Sequence, residues 1–251
     1  MPTYEFGSGV MWATPMIDLA GNNVSNPTPI PFGAMQDVSL DIAYSVKELY
    51  GLYQFPLAVA RGTAKLTGKA KIARFQARLF NQVFGETLSA NEIKAVSLLA
   101  ANTGAANNYN TGVGSNFYLD LGIQYANGVP MNRNTTPGSN GQYAVNSTAG
   151  IYTFNASENN TSILVSYAYY ANNTAGNSWT INNQLLGLSP FFKLVLNQQF
   201  QGKQVSLIFN QCVSTKLTFA TKLEDFHIPE FDFSMMADAN SQIGFISVGE
   251  Q

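Results

Sequence analysis

The chain has 251 residues, of which 45% are hydrophobic and only 11% charged, with a formal net charge of -2; ordinary soluble domains carry roughly 25% charged residues. Its polar surface must therefore be built from Asn, Gln, Ser, Thr and Gly, and so weak a field does little to keep copies of the protein apart, which favours self-association. The same balance argues against a sequence-reading nucleic-acid protein, which normally shows a basic stripe to neutralise phosphates.

Residues 1 to 36 are proline-rich, with NPTPIPFG at 26 to 33, and show no sustained period. Proline fixes φ and removes donors, so this segment is expected to be an extended arm, not a core strand. It carries Tyr4, Phe6, Met11, Trp12, Met16, Ile17 and Phe32, too many apolar groups for a free tail, and should lie against its own domain or a neighbouring copy. The start lacks a basic region followed by a continuous apolar run, so no secretion signal is expected. No stretch reaches the ~20 apolar residues that would span a bilayer, so no membrane insertion is expected.

VSLDIAYSV at 38 to 46 alternates with period two, placing Val38, Leu40, Ile42, Tyr44 and Val46 on one side of a half-buried strand and Asp41 on the other. ELYGLYQFP breaks the pattern, and TAKLTGKAK at 63 to 71 resumes it with Lys65, Lys69 and Lys71 on one face. That face reads first as a solvated strand surface and second as one that meets an acidic partner. IARFQARLFNQVF at 72 to 84 switches to helical spacing, with Ile72, Phe75, Leu79 and Val83 on one stripe and Gly85 as a stop. The spacing predicts a helix packed on the sheet. Ser89 and Glu92 are placed as in a capping box, which suggests a second short helix over 89 to 102, although Val96 and its neighbours suit a strand nearly as well.

Residues from about 102 to 141 read largely as a loop or insertion, interrupted by the strand FYLDLGIQYA and a hairpin turn at Asn127-Gly128. From about 142 onward QYAVN, GIYTFN, TSILVSYAYYA, SWTINNQ, FFKLVLNQQ, KQVSLIFNQCV, KLTFATKL and FDFSMMAD read as successive strands, the signature of a sandwich or barrel.

The chemistry-bearing residues are few. Cys212 is the only cysteine, so no intramolecular disulfide can form, and its apolar surroundings predict a buried, inert thiol. His227 is the only histidine; with one of each, neither a His-rich nor a Cys-rich metal site can be built, and no hydrolase, nucleotide-loop or zinc-protease motif is present. In FHIPEFDFSMMAD, residues 226 to 238, an extended backbone puts Glu230 and Asp232 on one face and Phe231 and Phe233 on the other. This is a wet-sided strand; a calcium site would need more converging oxygens and loop glycines. His227 is then a hydrogen-bonded residue at the strand's entrance. The N-x-S/T triplets at Asn23, Asn134, Asn146, Asn155, Asn159, Asn160 and Asn172 follow from the Asn, Ser and Thr content. No catalytic, cofactor or metal residues are expected.

The ordered series GIYTFN, SILVSYAYYA, TINNQLLGLSPFFKLVL, GKQVSLIFNQCVSTKLTF and TKLEDFHIPEFDFSMMADANSQIG, together with ELYGLYQFPLAVARGTAKLTGKAKIARFQARLFNQVFGE at 48 to 86, resembles the major tail tube proteins of long-tailed, DNA-containing bacteriophages. The likeness covers roughly two-thirds of the chain and is weakest over 1 to 36 and 102 to 141. It implies one mainly β domain over 1 to 251: two packed sheets forming a sandwich or barrel-like fold, a flanking α-helix, the extended N-terminal arm and the inserted loop. It further implies hexameric rings stacked into a tube in the virion, made in the host cytoplasm and conducting DNA without sequence-specific binding. Its partners would be copies of itself, a tape measure protein, and tail terminator and tip proteins. On that expectation the candidate lumen or inter-subunit residues are Asp41, Lys65, Lys69, Lys71, Glu230 and Asp232, with the carboxylates toward the lumen and the lysines toward a neighbouring ring. Closing a barrel between copies removes exposed strand edges. The alternatives are another virion subunit, a carbohydrate-binding β-sandwich using Trp12, Trp179 and the tyrosines, and a hydrolase using the carboxylates of 224 to 238.

Overall fold

A computed structural model of the chain describes residues 7, 9–18, 20–73, 79, 83–84, 88–172, 176–183, 185–187, 189–200, 203–221, 223 and 226–249. In chain order the strands are β1 Val10–Ile17, β2 Ile30–Pro31, β3 Met35–Tyr50, β4 Pro56–Ile72, β5 Leu88–Ser89, β6 Ile93–Asn102, β7 Asn108–Asn110, β8 Phe117–Tyr125, β9 Asn132–Arg133 and β10 Gln142–Asn146. They continue with β11 Ile151–Phe154, β12 Ser162–Tyr170, β13 Ser178–Trp179, β14 Phe191–Phe200, β15 Lys203–Thr218, β16 Glu230–Met236 and β17 Gly244–Val248. The protein is mainly β, built of several sheets; within the eight-, four- and three-stranded sheets the pairings are antiparallel apart from β9 with β10. It divides into two compact units, one of residues 1–88 and 179–251 and the other of residues 89–178.

The first unit holds an eight-stranded sheet in the order β2-β1-β14-β15-β16-β4-β3, with β17 paired to β15. Alternation sorts its side chains: along β16, Phe231, Phe233 and Met235 are buried while Glu230 and Asp232 are only partly so. Phe231 is the hub of an aromatic cluster, with ring centroids 5.5 Å from Phe32, 5.5 Å from Phe233, 6.0 Å from Phe84 and 6.1 Å from Phe192. Gly68 lies opposite Phe233 in β4, where a Cβ would overlap the Phe233 ring. The glycine leaves the space that this ring fills.

Two expectations need correction, and a third falls largely on residues outside those described. The N-terminal arm is a sheet strand over Val10–Ile17, paired with β14 and burying Met11 and Ala13; Pro15 is accommodated where that pairing shifts register. Cross-strand packing outweighed the absence of a long alternating run. The segment 89 to 102 is not a helix: Ser89 ends β5, and residues 93 to 102 form β6, which pairs with β12 along its length. The flanking helix over 72 to 84 lies largely outside the described residues. Ile72, expected to begin it, ends β4; Leu79, Val83 and Phe84 have helical backbone, and Leu79 and Val83 are buried in the core of the first unit.

The second unit is a small sandwich of a three-stranded sheet, β6-β12-β8, and a four-stranded one, β7-β11-β10-β9. Its core is Phe117, Ile123, Met131, Tyr143, Tyr152, Phe154, Ile163, Val165 and Tyr167. The stretch 102 to 141 thus contributes β7, β8 and β9 to a folded unit, with the expected turn at Asn127-Gly128, where the Gly128 amide donates to the Tyr125 carbonyl at 2.8 Å. Two buried carboxylates clip the sheets together. Asp120 on β8 accepts the hydroxyls of Tyr143 and Tyr152, each at 3.0 Å, while Glu158 accepts the Tyr125 hydroxyl and the Gly141 amide, the latter at 2.9 Å. Burial first, and the Asp120 carboxylate second, push the phenols of Tyr143 and Tyr152 far above the ordinary tyrosine range.

Candidate functional site

The six candidate residues all come from β3, β4 and β16 of the first unit, and the structure gathers them on one face of its sheet. Directly opposed residues share a face, so the register reads across the strands. Asp37 of β3 faces Lys71 of β4, which faces Glu230 of β16, which faces Thr218 of β15. One step along, Ser39 faces Lys69, then Asp232, then Lys216; a further step gives Asp41, Thr67 and Ser234; and Lys65 lies opposite Ala43. The reverse face of these strands carries Leu66, Ala70, Phe231 and Phe233 in the core. Hence the lysines and carboxylates, expected on two separate surfaces, occupy one.

They also alternate in sign. Lys71 lies 3.4 Å from Asp37 and Lys69 lies 3.9 Å from Glu230, and these residues with Ser39 line a small depression of about 200 Å³. The lysines are mostly exposed, so each pair is worth little in stability. Their effect is on the field: a cation already opposed by a carboxylate is a poor site for phosphate neutralisation. One Asp232 carboxylate oxygen is buried without a hydrogen-bond partner among the described residues, and the register sets it between Lys69 and Lys216.

The larger feature is one that sequence reading placed but misjudged. β3 and β4 continue past the rest of the sheet as a hairpin closed by Gly51–Phe55. β3 alternates without interruption, so Ile42, Tyr44 and Val46 stand on the same face as Val38 and Leu40, which do pack on the core. From Ile42 outward there is no second layer among the described residues. Ten large apolar or aromatic side chains between Ile42 and Val59 expose about half or more of their surface, from Tyr44 at 49% to Leu52 at 101%. The opposite face carries Ser45 and Thr63, whose hydroxyls lie 3.1 Å apart, and further out Lys47 and Leu49. On the face that continues the core, the Arg61 guanidinium lies 4.7 Å over the Tyr44 ring and Arg61 stands opposite Val46, so this largely apolar surface carries one stacked cation. The period-two signal was correct; exposure depends on what lies across from the strand.

The remaining candidates do not converge. The His227 Nδ1–H donates to the Ala220 carbonyl at 2.6 Å, and the ring stacks on Phe219 with centroids 5.6 Å apart. Glu224 and Asp225 lie outside the described residues. Among the described residues no group of three or more His, Cys, Asp or Glu side chains could hold a metal. Cys212 is buried, which pushes its thiol up to about 12 and keeps it protonated at neutral pH. Asp238 organises the turn between β16 and β17, accepting the Asn240 and Gln242 amides at 2.9 Å each and the Asn210 side-chain amide at 2.8 Å. Among the described residues no helix is long and apolar enough to cross a membrane.

No protein-family model matches this chain, and a search of curated proteins finds no significant relative.

Proposed function

We propose that the chain is a structural subunit that associates with copies of itself into stacked rings forming the tube of a phage tail, a passive conduit through which DNA passes to the host. The observation that carries this reading is the hairpin of β3 and β4. A two-stranded ribbon is marginal by itself in water, and this one offers on the order of 1,000 Å² of largely apolar surface, well above the few hundred Å² usual for a monomer's largest patch. That is about what one partner contributes to a stable interface. A second copy is the favoured occupant because the ribbon continues a core face and the chain carries almost no net charge to oppose close approach. A projecting element that docks elsewhere on the next copy makes a head-to-tail contact, which closes into rings or extends into a tube.

On this reading the charged face of β3, β4, β16 and β15 is a wall along which a polyanion slides, since its lysines stand beside carboxylates. A tape measure protein, and terminator and tip proteins, would be the further partners in a virion. No residue turns over a substrate. Negative-stain electron microscopy of the concentrated full chain, with sedimentation velocity across a dilution series, tests the proposal: rings or tubes are expected, and a monomer at every concentration would overturn it.

A further inference from the structure

We propose that the second unit carries a binding site for a carboxylate-bearing sugar, in the groove beside β9 and β10. The groove has a volume of about 520 Å³ and is lined by Arg133, Asn134, Thr135, Ala144 and Val145, within the roughly 300 to 1,000 Å³ typical of small-ligand sites. It exists because β9 is short. β9 runs parallel to β10 only at Gln142 and Tyr143, where the Asn134 amide donates to the Tyr143 carbonyl at 2.7 Å. Alternation turns the amide and carbonyl of Val145 to the same side as those of Tyr143, and beyond Tyr143 no strand pairs there. One backbone donor and one acceptor are thus left facing the groove.

Arg133 supplies the charge. Its guanidinium lies 3.7 Å from the Asp120 carboxylate, its one ion-pair partner among the described residues. Asp120 is already engaged by the hydroxyls of Tyr143 and Tyr152 and by the Gly122 amide at 3.0 Å. The buried carboxylate therefore orients Arg133 while leaving N–H donors of the fork for an incoming carboxylate, which is the geometry guanidinium recognises best. The Thr135 hydroxyl, and the Asn134 side chain whose oxygen accepts the Thr135 amide at 2.8 Å and whose NH2 keeps a second N–H, offer hydrogen-bonding groups suited to ring hydroxyls. Among the described residues no aromatic side chain lines the groove, so a neutral sugar would lack the stacking platform that holds it, whereas an acidic one has the ion pair. The free backbone edge is a single residue long, too short to add a peptide strand. Trp12 and Trp179 are not among the lining residues.

Ligand-observed saturation-transfer NMR on the full chain reads this whether or not copies assemble. The probes are glucuronic acid, N-acetylneuraminic acid, glucose and an acetylated tripeptide with a free carboxylate. Saturable transfer to the two acidic sugars and none to glucose is expected, with at least a tenfold weakening in R133Q. T135V, on the exposed wall of the groove, should weaken binding several-fold at unchanged melting temperature, so the outcome does not depend on one variant folding. Absence of transfer to the acidic sugars, binding that survives R133Q, or equally tight binding of the tripeptide would overturn the site.

Discussion

The hairpin makes a demanding prediction at Val46. This side chain is 54% exposed on the apolar face of the ribbon, so replacing it with aspartate removes little that the isolated chain buries. Stability to denaturant should change by no more than about 0.5 to 1 kcal/mol, the range of surface and strand-propensity effects. In the assembly the accounting differs. Covering the exposed half of a valine contributes about 1 kcal/mol, and bringing an aspartate carboxylate into the same contact costs about 3 kcal/mol more unless it protonates. The sum, about 4 kcal/mol per contact, is roughly a thousandfold in association at 1.4 kcal/mol per factor of ten. V46D should thus remain a folded monomer at concentrations where the parent chain forms rings or tubes, measured by sedimentation velocity beside urea unfolding. Assembly at the parental concentration would refute the reasoning. So would a loss of more than about 2 kcal/mol in the monomer, because it would mean that Val46 packs within its own chain.

Other substitutions probe the interior and the second unit. F231A empties the centre of a five-ring cluster and should cost about 3 to 5 kcal/mol in urea unfolding; a cost under 1 kcal/mol would mean the rings are not packed as described. D120N leaves two buried phenols competing for a weaker acceptor and should destabilise the second unit by about 1 to 3 kcal/mol, followed by hydrogen exchange of β8, β10 and β11. Tyr143 and Tyr152 have folded-state values raised above the unfolded value of about 10. Their contribution is therefore fully present below pH about 10 and is lost as pH rises through the folded-state range, so a spectroscopic titration should show these phenols ionising only as the second unit unfolds. K69A, which removes an exposed partner of Glu230, should shift stability by less than about 0.5 kcal/mol; a larger loss would point to a role for Lys69 in screening the buried Asp232 oxygen.

Local alternation was sufficient to place Phe231 and Phe233 inward and Glu230 and Asp232 outward, because a strand backbone admits only two side-chain directions and the two residue types differ in the cost of leaving water. The composition likewise dictated an uncharged, amide-rich surface, and one cysteine and one histidine ruled out whole classes of site. The register that sets Lys69 against Asp232, and Lys71 between Asp37 and Glu230, was not legible. It depends on β16 pairing with β4, and those two strands are separated by more than a hundred residues of chain. The same dependence explains the N-terminal strand, whose edge is completed by β14, and β6, whose capping-box residues were outweighed by pairing with β12. Ile42, Tyr44 and Val46 repeat the pattern of Val38 and Leu40, yet only the tertiary structure decides that the second layer ends between them. Burial is a property of what faces a residue, and a sequence states only the residue's own preference for being covered.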